Sequence, residues 1–274
     1  MVKRIVKKLF SKIYKPSTKI IITPLSSNEQ LKGKSVLITG GSSGIGFSIA
    51  KRCIESGANV IITGRNEANL QEATVELGAK SAYIVHDISD IKRMDWLIKE
   101  ADSKFKEELV CLVSNAGVPS QEENFLKTKV EDYEKLMAIN LEGPYFLCKS
   151  FIKHLNDIQI GGSIVLVSSN AAQINYPADY ALSKAGIAKL GKGLAVAYAS
   201  KLIRANVICP GFTISNILPE FKKEKTDNMY LGSVKDKRWH LPEEVAEIVA
   251  FLLSDASICL NGQVITCDGG DYLR

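Results

Sequence analysis

The sequence predicts an α/β protein: a single Rossmann-type doubly wound parallel sheet of about seven strands flanked by helices, preceded by a basic amphipathic helical arm. Three observations carry this. From residue 35 onward, short runs rich in Val and Ile alternate with longer helical patterns. The runs lack period-two alternation, as expected of strands buried on both faces. A glycine-rich stretch, Thr39-Gly40-Gly41-Ser42-Ser43-Gly44-Ile45-Gly46, falls between the first run and the first helical pattern, where a phosphate-binding turn belongs.

The arm comes first. Val2, Ile5, Val6, Leu9, Phe10, Ile13 and Tyr14 fall on one side of a helix over 1–15, with Lys3, Arg4, Lys7, Lys8, Lys12 and Lys15 on the other, and Pro16 stops it. Residues 1–32 hold eight lysines and arginines against Glu29 alone, leaving 27 basic and 29 acidic residues in 33–274. The formal charge of +5 therefore belongs to the arm. Its apolar run is too interrupted for a membrane span or a signal core. Two readings stand: a helix lying on an anionic membrane surface, or one packed on this protein or a second subunit. Nucleic acid is not an expected partner, because basic residues without a stacking platform give only weak, salt-sensitive attraction.

Residues 33–274 form the expected domain. Predicted strands are 35–39, 59–63, 82–85, 110–113, 164–167, 205–208 and 263–266, and predicted helices 45–56, 70–77, 130–155, 178–200 and 242–253. The 46% hydrophobic content fills one large core. Cys53, Cys111, Cys148, Cys209, Cys259 and Cys267 are scattered without a CxxC pair, and His86, His154 and His240 are equally dispersed. Buried thiols in the cytoplasm are expected, with no metal site.

Gly40, Gly44 and Gly46 let the backbone approach a pyrophosphate, and the following helix end supplies amide donors. Ser42, Ser43 and Ile45 belong to the same cofactor-binding turn. About 20 residues on, where an acid would take the ribose 2′-hydroxyl of NAD, the chain has Gly64-Arg65-Asn66. Arg65 suits a 2′-phosphate, which points to NADP(H). Further along, Tyr180 and Lys184 are four residues apart. On a helix the phenol and ammonium would share a face, where the cation favours the phenolate and the tyrosine can exchange a proton with a substrate oxygen.

With these motifs in this order, residues 33–272 resemble the short-chain dehydrogenase/reductase family, close to its 3-oxoacyl-carrier-protein reductase branch. The resemblance implies an NADP-dependent enzyme interconverting a carbonyl and a secondary alcohol, with Asn140, Ser169, Tyr180 and Lys184 as the catalytic set. It implies adenine contact by Asp87 beside Ile88, a cofactor border at Asn115, Ala116 and Gly117, and nicotinamide contact by Pro210, Gly211 and Thr213. Lys184 would also bind the nicotinamide ribose, and Asn140 would hold a water for proton relay. It further implies a homo-oligomer, tetramer or dimer, through the Asn140 and Tyr180 helices and the last strand. One departure stands out. The family serine normally precedes the tyrosine by thirteen residues, whereas Ser169 precedes Tyr180 by eleven; a loop shortened by two residues accounts for this, with Ser168 as the alternative.

A substrate lid is expected over about 212–241. Its Lys222, Lys223, Lys225, Lys235, Lys237 and Arg238 would favour an anionic substrate, or else line a solvated loop. Two other functions fit the same fold: a non-catalytic NADP-binding scaffold, and a membrane-surface assembly protein that works through its arm.

Overall fold

Strand β1 (Ser35–Thr39) is buried along its whole length, with Leu37 in one hydrophobic cluster and Val36 and Ile38 in another. That division runs through the molecule, because an unbroken apolar strand must be covered on both faces. The structure, a computed structural model, describes residues 29–122, 124–215 and 229–273. The predicted arm helix and Lys222, Lys223 and Lys225 of the predicted lid lie outside the described residues.

The remaining strands are β2 (Asn59–Gly64), β3 (Ser81–Val85), β4 (Leu109–Ser114), β5 (Gly162–Val167), β6 (Ile203–Pro210) and β7 (Val264–Cys267). All seven pair in parallel in the order β3-β2-β1-β4-β5-β6-β7. The order reverses between β1 and β4, so a crevice opens beyond their carboxyl ends, where doubly wound sheets bind ligands.

Helices α1 (Gly44–Glu55), α2 (Glu67–Leu77) and α7 (Pro242–Leu253) cover one face through Ile49, Leu70 and Val249. An Arg52–Glu247 ion pair at 2.7 Å, largely shielded from water, joins α1 to α7. Helices α3 (Met94–Asp102), α5 (Gly143–Ile158) and α6 (Asp179–Tyr198) cover the other, around the fully buried Phe151.

The predicted helix over 130–155 is not continuous. It divides into α4 (Val130–Met137), a π-helical turn at Ala138–Glu142, and α5. Pro144 has no N–H to give the carbonyl of Asn140, so one rung of the α-helical ladder is absent and the chain takes a wider turn. Cys53, Cys111, Cys148 and Cys209 are buried, as expected of scattered thiols, but Cys259 is exposed in the turn after α7.

Candidate active site

A cavity of about 920 Å³ occupies the crevice, running from the glycine turn past Tyr180 to Tyr272. Gly40, Ser42, Ser43, Gly44, Ile45 and Gly46 line one end. Gly40 and Gly44 have φ of 65° and 54°, which glycine adopts at little cost. Gly46 has no room for a side chain: a Cβ there would stand 2.1 Å from the Gly40 carbonyl oxygen. Ser43 caps α1 without a side-chain bond to its amides, leaving them to face the cavity end. Asn115 braces the turn, donating through Nδ2 to the carbonyls of Thr39 at 3.0 Å and Gly40 at 3.1 Å. Thr39 Oγ1 in turn accepts the N–H groups of Asn115 and Ala116. Bare glycines, free helix amides and a braced turn suit a pyrophosphate.

Arg65, Asp87 and Ile88 lie beyond the cavity lining, at the ends of β2 and β3. Partial burial pushes the Asp87 carboxyl up, but bonds from the Ser89 N–H and hydroxyl and the nearby Arg65 cation outweigh it, so the net direction is down. Arg65 is exposed and reaches the same end of the sheet as Asp87. Ile88 is buried, its carbonyl against Gly143, so its side chain belongs to the core.

At the other end, Tyr180 occupies the first turn of α6 and Lys184 the next. The Lys184 ammonium lies 5.6 Å from the Tyr180 ring centroid and donates to the Val167 carbonyl at 3.1 Å. Burial depresses its pKa to about 8. Burial also raises the Tyr180 phenol, and the bond with Ser169 only partly offsets that. The expectation that Lys184 draws the phenol down is therefore not met by the protein alone. The ammonium sits by the ring and bonds to main chain, and the phenol stays protonated at neutral pH.

Ser169 lines the cavity with Tyr180 despite the shortened loop and offsets part of the effect of burial on the phenol, whereas Ser168 donates to the Lys184 carbonyl at 2.7 Å and braces the helix. Asn140 is buried; Oδ1 accepts from the Val118 N–H at 2.8 Å, and Nδ2 donates to the Val118 carbonyl at 2.9 Å and Ser183 Oγ at 3.3 Å. Its side chain is fully engaged, and the group that Pro144 releases is its main-chain carbonyl. A Cβ on Gly117 would stand 3.3 Å from both Asn140 Oδ1 and Lys184 Nζ, so this glycine keeps the two together. Pro210, Gly211 and Thr213 line the same end. Gly211 sits against Asp268, where a Cβ would be 2.5 Å from the aspartate's own.

Residues 40–271 match the family model described as enoyl-(acyl carrier protein) reductase. The chain belongs to the short-chain dehydrogenase/reductase family. It is similar to a 3-oxoacyl-[acyl-carrier-protein] reductase of Chlamydia pneumoniae, 33% identical over 248 residues, covering 88% of this chain and 97% of the relative. It is also similar to glucose 1-dehydrogenase 2 of Bacillus subtilis, 30% identical over 248 residues, covering 88% and 96%. Among solved structures, a dehydrogenase/reductase from Sinorhizobium meliloti superposes with a TM-score of 0.79 at 30% identity, covering 88% of this chain and 96% of that one. The protein is thus an oxidoreductase of this family, whose members use a nicotinamide cofactor, and its glycine turn fits one.

Within that short-chain dehydrogenase/reductase frame, the cavity is also lined by residues that sequence reading did not single out: Pro119, Ser120, Asn170, Phe212 and Tyr272. Most sit in loops or near the chain end, where no periodicity marks them. Among the described residues, Lys184 and Asp271 are the charged side chains in the lining. The described lid cations point elsewhere: Arg238 pairs with Glu244 through two 2.8 Å bonds, Lys237 donates to the Gly232 carbonyl, and Lys235 is exposed.

Proposed function

We propose that the protein is an NADP(H)-dependent reductase that interconverts a carbonyl and a secondary alcohol, with Tyr180 as proton donor. The observation that carries this is the gathering of Ser169, Tyr180 and Lys184 in the lining of one cavity, opposite the glycine turn. Bound NADPH would supply the hydride. Gly40, Ser42, Ser43, Gly44, Ile45 and Gly46 would hold its pyrophosphate, Asp87 its adenine end, and Pro210, Gly211 and Thr213 its nicotinamide end. Asn115, Ala116 and Gly117 border it.

The substrate carbonyl oxygen would take hydrogen bonds from Ser169 and Tyr180, and Tyr180 would deliver its proton as charge develops there. A phenol raised by burial keeps its proton at neutral pH, the form that a proton donor requires. Lys184 would stabilise the phenolate left behind, and the Asn140 carbonyl would hold the water that restores the proton. Tyr180→Phe should abolish ketone reduction while leaving the NADPH dissociation constant, read by fluorescence, within about twofold. Surviving turnover would remove Tyr180 from its role. Arg65, standing directly after β2 in place of an acid, supports NADPH over NADH; equal kcat/KM with the two cofactors would defeat that preference.

An anionic substrate group would have to draw on Lys222, Lys223 and Lys225, since the described lid cations are engaged or exposed elsewhere. Matched anionic and neutral ketones with equal kcat/KM would remove that reading. Exposed Tyr145, Leu182 and Val196 on α5 and α6 support a homo-oligomer, while Leu190 and Leu194 pack on the protein's own core. A monomer mass by light scattering would refute it. The site of action is taken as the cytoplasm, and fractionation of cells tests it.

A further inference from the structure

Asp179 is the first residue of α6, directly before Tyr180, and is 7% exposed. The preceding cap residue, Ala178, offers no side-chain acceptor to the opening amides of the helix. Asp179 takes that part. Its Oδ1 accepts the Tyr180 N–H at 2.7 Å, and a carboxylate at a helix amino end is favoured by the dipole.

The same oxygen accepts a hydrogen bond from the Ser120 hydroxyl. Ser120 is not part of the helix; it belongs to the loop after β4, where it and Pro119 line the cavity. Two residues earlier, Asn140 holds Val118 by both its N–H and its carbonyl. Asn140 also reaches Ser183, whose hydroxyl donates to the Tyr180 carbonyl at 2.7 Å. Tyr180 is therefore held at its N–H by Asp179 and at its carbonyl by Ser183, and both restraints lead to one loop. Capping alone would not require this loop contact, since a short polar side chain satisfies helix amides at a solvated end. Burying a carboxylate is costly unless its bonds are made, so losing one partner is felt by the other.

We propose that Asp179 is a positioning residue, and that the Ser120–Asp179 clamp fixes the Tyr180 phenol against the loop wall that faces the substrate. The inference rests on Tyr180 as the proton donor. Reaction geometry is sensitive, with a misplacement of about 1 Å costing on the order of 100-fold. Cofactor affinity should change little, because the glycine turn that would hold the pyrophosphate lies at the far end of the cavity.

The test compares Asp179→Ala, Asp179→Asn, Ser120→Ala and the Asp179→Ala/Ser120→Ala double variant in the full chain, with ethyl acetoacetate as reporter ketone. Asp179→Ala should lower kcat about tenfold or more, with the NADPH dissociation constant within about twofold. Asp179→Asn, which keeps an acceptor oxygen, should recover to within about threefold of the parent. The double variant should be no slower than Asp179→Ala, because the two side chains act through one bond. An unchanged kcat in Asp179→Ala, or losses that multiply in the double variant, would overturn the clamp.

Hydrogen–deuterium exchange reads the same contact without turnover. Ser120→Ala leaves the Asp179 cap in place, so it remains informative even where Asp179→Ala does not fold. It should speed exchange both in the loop after β4 and at the start of α6. Exchange confined to the loop would overturn the proposal. Should the parent protein fail to reduce the ketone, the reductase reading falls, and exchange still decides the clamp.

Discussion

Lys184 combines deep burial with a charge, and the two pull against each other. The residue is 4% exposed, its pKa is depressed from 10.5 to about 8, and its ammonium donates to the Val167 carbonyl. Unfolding releases the ammonium into water, where it holds its proton more tightly, so the unfolded chain takes up a proton between about pH 8 and pH 10.5. Stability therefore climbs with pH across that window, and below it the full penalty of ~3 kcal/mol applies. Lys184→Met should raise unfolding free energy at pH 7 by about 1 kcal/mol, the remainder being offset by the Val167 carbonyl losing its donor. The gain should reverse near pH 10.5, where the parent lysine is neutral and the variant should be the less stable of the two. Urea melts at both pH values check this, alongside loss of turnover. A variant less stable than the parent at pH 7 would mean the ammonium is better satisfied than its surroundings indicate. Function at this residue is thus held against stability, as is common at sites that need a perturbed group.

The glycine turn shows the same tension at the scale of an element, where backbone proximity replaces charge. β1 hands the chain to α1 through a bend so tight that a Gly46 Cβ would meet the Gly40 carbonyl at 2.1 Å and Asn115 Nδ2 at 2.6 Å. Gly46→Ala must therefore spread the turn, displacing the amides that face the cavity. NADPH affinity should fall about 100-fold or more by fluorescence titration, with the far-UV spectrum retained, because the two core clusters lie away from the turn. Retained affinity would show that the turn yields cheaply. This element was legible in the sequence because glycine spacing, an apolar strand before it and a helical pattern after it are all local signals. So were all seven strand positions, to within two residues of their starts, since burial leaves unbroken Val and Ile runs. The π turn was not legible: residues 130–155 keep helical apolar spacing throughout, and only Pro144 marks the missing rung. Nor was the Ser120–Asp179 contact, which joins residues 59 apart through loop geometry that no periodicity encodes.

At the scale of the whole molecule, charge and fold separate along the chain. The matched span, 40–271, excludes the stretch that carries the excess of lysine and arginine. Leu31 is fully buried and its N–H bonds to the Ser56 carbonyl at 2.8 Å, so the folded unit is already anchored by that residue. No helix among the described residues is long and apolar enough to cross a membrane. Of the two readings of the basic residues before 29, the lipid one proposes a surface attachment drawn by charge and apolar burial together. On that reading, removing residues 1–28 should leave the melting temperature and NADPH binding unchanged, because Leu31, after the cut, itself ties the chain to the core. It should abolish co-sedimentation with vesicles containing anionic lipid, an association that in the full chain should weaken as salt rises from about 0.05 to 0.5 M through screening. Loss of folding on truncation would instead make the arm part of the core or of a subunit contact. Equal sedimentation of both proteins would place the lipid-binding surface on the catalytic domain. Those outcomes divide the two readings of the arm, since a helix docked on its own protein stabilises the fold while one reserved for lipid does not.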